Sequence, residues 1–345
     1  MIQGLNREAW RFSGIAILLM LGTGWPKSVA TAAEPGAYVR DARLSEGKRV
    51  AGWTGLFNLG ASFNLSINDS VIGKLEGSNT TAGFNIETGG ELNREESEWR
   101  NRMTFDETFS QTPIIRKLVK SNDVVVIDSI YLHHIPDREW IGPFVRLNLD
   151  TALFQGFEVR AAPRTYAVAK RDGDIEAIYS DHLKMTDAFS PTRTKQSFGA
   201  FVDPLKDERW DLQVRGGLGF REVFATGSLA ILDEALTPEV EVKELASYFQ
   251  TGPEAGISMR GKFTDKHVTY RLDAEILLPF YSRGAFREGM SALDLMYREL
   301  SLRISFKLFE WASLDYQFKI QKEPLLLDVT QLQSNVLVTF NYSLL

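Results

Sequence analysis

Histidine is the usual carrier of acid–base and metal chemistry, and this chain of 345 residues has four of them. His133 and His134 are adjacent, so in a strand their rings face opposite ways and cannot grip one metal ion without a bulge. Beside a short turn they read as interface residues. Ser180-Asp181-His182 contains the residue types of a nucleophilic relay, yet consecutive side chains diverge and do not form one. His267 shares a turn with Asp265 and reads as structural. Asp172, Asp174 and Glu176 are spaced as in a calcium loop, but Ala177 stands where that loop needs glycine and Leu183 where it ends in glutamate. Cysteine is absent, which removes thiol chemistry and disulfides. A net charge of −6 leaves no nucleic-acid footprint. The expectation is a non-enzymatic protein with no catalytic residue, metal or cofactor. The alternative is a hydrolase or lipid-modifying enzyme with a loop-borne site, for which Asp181-His182 is the nearest candidate.

The remaining polar chemistry is charge of both signs, placed at alternate positions. Arg100, Arg102, Arg146, Asp150, Arg215, Arg260, Arg271, Asp273, Glu275, Arg303 and Asp315 all alternate with apolar residues. On neighbouring strands such residues can pair across the sheet. In a barrel of about twelve strands the lumen is modest, and long paired side chains fill much of it. They therefore line either a narrow pathway for small solutes or a closed interior that holds the barrel together. The solute itself is not encoded in any motif.

Strands are what would position these charges. In residues 300–308 the apolar Leu300, Leu302, Ile304, Phe306 and Leu308 alternate with Ser301, Arg303, Ser305 and Lys307. Residues 312–320 and 336–344 repeat the pattern. A period of two means one apolar and one wet face, as in a strand between lipid and a watery lumen. Similar segments lie at 53–65, 82–92, 99–106, 123–134, 145–150, 196–202, 210–220, 254–263 and 268–278, bringing the expected total to about twelve. Asn101 interrupts the apolar face of its segment, 123–134 is β-branched with an ambiguous face assignment, and 196–202 is short.

The connections alternate in length. Short ones fall at 94–98, 135–139, 203–209, 264–267 and 310–311, and long ones at 67–80, 110–122, 157–195, 223–250, 280–298 and 322–333. This is the signature of an all-β, up-and-down transmembrane antiparallel barrel with short periplasmic turns and long outer loops. The 157–195 and 223–250 loops could cap or plug the lumen, and 232–245 has the composition of a short helix or hairpin. Trp53, Trp99, Trp140, Trp210 and Trp311 all fall at the periplasmic strand ends, as a membrane-interface girdle requires. Residues 14–25 form an apolar run too short to cross a bilayer, followed by the small-residue sites Ala30-Thr31-Ala32 and Thr31-Ala32-Ala33. The expected organisation is a signal peptide at 1–33, a periplasmic segment at 34–51 and an outer-membrane barrel at 52–345.

Four stretches carry a family resemblance: GWTGLFNLGASFNLS from Gly52, EWRNRMTFDETFS from Glu98, KSNDVVVIDSIYLHHI from Lys120 and WIGPFVRLNLDTALFQGF from Trp140. Together they resemble a domain-of-unknown-function family of Gram-negative outer-membrane barrels, with a looser similarity to salt-induced outer-membrane proteins. The resemblance spans residues 52–308. It implies an outer-membrane, porin-like barrel in contact with outer-membrane lipids and the barrel-assembly machinery, and it transfers no catalytic residue. Assembly signals usually end in an aromatic residue, whereas this chain ends Tyr342-Ser343-Leu344-Leu345.

Overall fold

The computed structural model describes residues 51–68, 77–115, 117–207, 209–232, 237–263, 267–284, 289–309 and 312–343. The expected signal peptide, most of the 34–51 segment, Asp265, Trp311 and the last two residues lie outside these. In chain order the strands are β1 (Gly52–Asn68), β2 (Gly77–Asn93), β3 (Ser97–Gln111), β4 (Val119–His133), β5 (Ile141–Thr151) and β6 (Gly156–Ala169). They continue with β7 (Ile175–Thr186), β8 (Thr192–Lys206), β9 (Asp211–Phe224), β10 (Leu229–Ile231), β11 (Val240–Glu244) and β12 (Tyr248–Phe263). The last are β13 (Val268–Leu277), β14 (Tyr281–Arg283), β15 (Tyr297–Phe309), β16 (Ala312–Glu323) and β17 (Leu327–Ser343).

Thirteen strands share one sheet in the order β13-β15-β16-β17-β1-β2-β3-β4-β5-β8-β9-β12-β14, and β12 also pairs with β13. Setting aside the three-residue β14 leaves twelve, each paired antiparallel to two neighbours. The sheet is therefore closed on itself. Closure leaves neither sheet edge open to another chain. The first and last strands, β1 and β17, close the ring, with Asn58 to Ala61 paired to Ser343 to Phe340.

The barrel is dressed inside out relative to a water-soluble protein. Outward positions carry Val145, Leu147, Phe198, Val214, Ile257, Ile276 and Phe306, all exposed. Inward positions carry Arg100, Arg102, Arg146, Asn148, Asp150, Arg215 and Asp315, all buried. The alternation of the sequence thus places bulky apolar groups on the outer wall and charges on the axis. Asn101 does not break this wall, because it accepts a 2.8 Å hydrogen bond from Ser129 Oγ, which in turn accepts one from Trp99 Nε1 at 3.0 Å. The ambiguity of β4 resolves with Val124, Val126, Asp128, Ile130 and Leu132 inward and Ile127 and Tyr131 outward. Its inward side is apolar because Ile130 and Leu132 pack with Phe144 and Phe201 and fill that side of the lumen. On β8 and β9 the backbones approach so closely that a Cβ on Gly217 would stand 2.1 Å from the Phe198 carbonyl oxygen.

Three expected loops are corrected. Residues 157–195 hold most of β6, all of β7 and the start of β8, which runs for 15 residues rather than being short. Residues 223–250 hold β10 and β11, a hairpin and not a helix. Together β10, β11, β6 and β7 make a separate four-stranded sheet in which β11 runs parallel to β6. The two segments carry apolar residues that need each other: Tyr166, Val168 and Leu183 from one pack against Val240 and Val242 from the other. Residues 322–333 are strand on both sides of a turn at 324–326. The long-loop expectation fails there because Gln331, Thr330 and Gln321 read as loop by composition but pair across β16–β17.

Candidate functional site: an ion-paired lumen

All eleven sequence-nominated lumen residues project inward by strand parity, and they fall into two groups along the axis. The barrel has a turn end, where the connections at 94–96 and 134–140 lie, and a loop end carrying the four-stranded sheet. Along β13 and β15 the inward rungs, from loop end to turn end, are Glu275–Glu299, Asp273–Ser301, Arg271–Arg303 and Thr269–Ser305.

At the upper rung the lumen is filled. Glu275 accepts a 2.9 Å hydrogen bond from Arg146 Nη1 and another from Arg221, and lies 3.8 Å from Lys195 Nζ. Arg146 also lies 3.8 Å from Asp128, and Arg221 the same distance from Glu254. Tyr297 packs its ring against two of these cations, with Arg221 at 3.4 Å and Lys195 at 4.6 Å from the ring centre. Lys195 Nζ donates to the Tyr297 hydroxyl at 2.8 Å and to Glu299 at 3.1 Å, while that hydroxyl donates to Glu299. Beside this, Asp150 accepts from Arg193 at 3.0 Å, and Glu323, 3.7 Å from Arg193, accepts from Tyr248. Arg221 retains 2% of its free exposure and Tyr297 likewise 2%. Opposed charges in a site this dry are held by one another, since neither water nor salt screens them.

An apolar lid lies over the plug. Val223, Ala225, Ala230, Leu245, Tyr248, Leu295, Leu325 and Leu326 form one cluster, drawn from the ends of β9 and β12 and from the β9–β12, β13–β15 and β16–β17 connections. The four-stranded sheet is latched to it by Arg171, whose Nε and Nη2 donate to the Leu245 carbonyl at 2.9 and 2.5 Å. Gly219 matters here: an added Cβ would lie 2.4 Å from Glu254 Oε2 and 2.8 Å from Leu277.

Toward the turn end the charges on β2, β12 and β15 are partly exposed. Arg303 pairs with Asp315 at 2.9 Å with 33% of its side chain exposed, and Arg260 pairs with Asp211 at 2.7 Å with 24% exposed. Glu87, 25% exposed, faces Arg102 at 3.3 Å and accepts from Asn58 at 3.1 Å. Asp273 accepts from Ser258 at 2.7 Å, and Arg215 reaches Gln213 at 3.3 Å. Arg100 bonds Glu98 at the rim, next to His134.

His134 is a correction: it faces inward and is buried, not interfacial. Its Nδ1 donates to the Glu139 carbonyl at 2.6 Å, and its ring meets Phe201 edge-on. Ser180 Oγ bonds only the His182 backbone, and the His182 ring stacks on Phe157 at 4.4 Å. Glu176 pairs with Lys170 at 2.7 Å, and Asp172 accepts from the Asp174 amide at 3.2 Å, closing the turn. Trp53, Trp99, Trp140 and Trp210 are exposed on the outer wall near the turn end. Trp53 touches Trp99, and Trp210 packs with Phe263 and Tyr270.

Sequence reasoning missed half of the plug. Lys195, Arg221, Tyr248, Tyr297, Glu299 and Glu323 were not nominated, since several lay in expected loops or at segment ends. Extending the alternation would have found some: Lys195 precedes Ser197 by two, and Glu299 precedes Ser301 by two.

No protein-family model matches the sequence, and no curated protein does. Among solved structures, the chain is similar to the translocator domain of the autotransporter NalP from Neisseria meningitidis, at TM-score 0.36 and 10% identity over 85% of this chain and 90% of that one. It is similar to an outer membrane channel from Pseudomonas putida F1, at TM-score 0.35 and 9% identity over 90% and 98%. The transport unit of the autotransporter AIDA-I from Escherichia coli gives TM-score 0.32 and 11% identity over 87% and 93%. Likenesses this loose assign neither a family nor an activity. What the chain's own pairing establishes is an all-β, closed, antiparallel barrel with a charged interior.

Proposed function

We propose that this protein is a non-enzymatic outer-membrane barrel whose lumen is shut toward the cell exterior by the Glu275–Tyr297 plug and its apolar lid. The membrane reading is supported by the exposed apolar wall and by strands of ten to seventeen residues, since about 9–11 residues cross a bilayer as tilted strand. The exposed tryptophans near the turn end suit the headgroup layer. With this orientation the turn end is periplasmic, the lipid partners contact the outer wall, and the barrel-assembly machinery inserts the chain.

One observation carries the choice of a closed barrel over an open pore. The cations Arg146, Lys195 and Arg221 converge on Glu275 from three strands, β5, β8 and β9, and all are buried. A narrow channel for small solutes would need this cluster to part; the accessible side chains below it favour that as the second reading. Reconstitution into a planar bilayer tests the proposal. The expected record is silent for the native barrel, and a steady unit conductance would overturn closure in favour of the channel.

A further inference from the structure

Three arginines stand in one cross-strand row on adjacent strands: Arg260 of β12 is paired with Arg271 of β13, and Arg271 with Arg303 of β15. Like charges directly opposite each other destabilise a sheet, so such a row needs compensation. The outer two have it, since Asp211 takes Arg260 and Asp315 takes Arg303. Arg271 makes no hydrogen bond or ion pair within 4.0 Å among the described residues, and Arg102, Arg260, Arg303 and Glu87 are its electrostatic neighbours. From the opposite wall comes Arg102, 93% buried by its 7% exposure, with Nη1 lacking any hydrogen-bond partner. Glu87 is shared between Arg102 and Asn58, and Asp273 is bound to Ser258. Asp106 feels the charges of Arg303 and Glu87.

We propose that Arg271, with Arg102 facing it, binds a small oxyanion, a phosphate, sulfate or carboxylate group, inside the turn-end half of the lumen. The guanidinium fork matches such anions, and a charge-assisted bond in a narrow low-dielectric space is strong. Access is from the turn end: Arg271 is three positions from the start of β13 at Val268, about 10 Å along the strand. The site lies below the plug, so it does not depend on whether the plug is closed.

The test titrates inorganic phosphate into the refolded full barrel and reads 31P line broadening, with sulfate and acetate as competitors to define the anion. Saturable binding is expected, weakened roughly tenfold or more in Arg271→Gln and unchanged in Arg164→Gln, an exposed arginine of β6. Thermal unfolding supplies a second readout. In anion-free buffer Arg271→Gln should unfold at a higher temperature than the native chain, because a repulsion is removed. Added phosphate should raise the midpoint of the native chain alone. Equal phosphate binding by native and Arg271→Gln protein, absence of saturable binding by all three anions, or a variant destabilised without anion would each overturn the proposal.

Discussion

Replacing Glu275 with glutamine removes the central charge of the plug while keeping its shape, and the structure fixes what that should cost. Three cations lose a partner, but not equally. Lys195 keeps Glu299 at 3.1 Å and was 3.8 Å from Glu275, so it loses little. Arg146 gives up a 2.9 Å contact and keeps Asp128 at 3.8 Å. Arg221 gives up its shortest contact and retains Glu254 at 3.8 Å and the Tyr297 ring. Breaking a buried pair by removing one partner costs about 3–5 kcal/mol, and the remaining partners place Glu275→Gln near the lower end, about 3 kcal/mol. That is roughly a hundredfold in the folding equilibrium. Urea unfolding of the barrel from lipid vesicles, followed by tryptophan fluorescence, would show it as a lowered midpoint. Glu176→Gln, which removes the exposed partner of Lys170, should leave the midpoint unmoved. If Glu275→Gln unfolds within about 0.5 kcal/mol of the native protein, the cluster is hydrated and the reasoning fails.

Other consequences follow from the same structure. Ile257→Arg, on the outer wall of β12, should cost about 2–4 kcal/mol if it lies near the bilayer midplane, and vesicle insertion yields would drop accordingly. Arg171→Ala should free the four-stranded sheet from the lid for roughly 1 kcal/mol after solvent screening, seen as faster proteolysis of residues 160–175 with the barrel intact. Hydrogen bonds from the Ser291 hydroxyl and amide hold the Asp294 carboxyl below the usual carboxylate range. Because the folded value is depressed, the stabilisation of that turn is complete above the ordinary value of about 4 and is lost as pH falls through the lowered one. The protection of the Ser291 amide, its exchange taken relative to that of a free amide at the same pH, should fall with acid in the native chain and be insensitive to it in Asp294→Asn.

Much of the barrel was legible because its signal is local. Each strand must satisfy lipid on one side and charge on the other, so the period of two survives in the sequence without knowledge of partners. Residues 300–308 are the clearest case, and β15 spans them. Where both faces meet apolar groups the signal disappears, as on β4, whose inward Ile130 and Leu132 pack on Phe144 and Phe201. The four-stranded sheet was hidden for a different reason. Its central pairing joins Val240–Lys243 to Tyr166–Ala169 in parallel, a contact between segments some seventy residues apart that periodicity cannot express. The plug was half visible for the same reason: Arg146 and Glu275 were nominated singly, but their 2.9 Å contact crosses the lumen between strands that are not neighbours.

The chain has no native cysteine, so single thiols can be placed along one inward row without background. Ser301 and Ser305 both face the lumen on β15, one above and one below the arginine rung, with Ser301 1% exposed and Ser305 more open. In the refolded barrel, a charged water-soluble thiol reagent should modify Ser305→Cys readily and leave Ser301→Cys protected. Equal modification of the two would mean that water reaches the rung directly beside Glu275–Glu299, and a dry, tightly closed lumen at that level would no longer describe this protein.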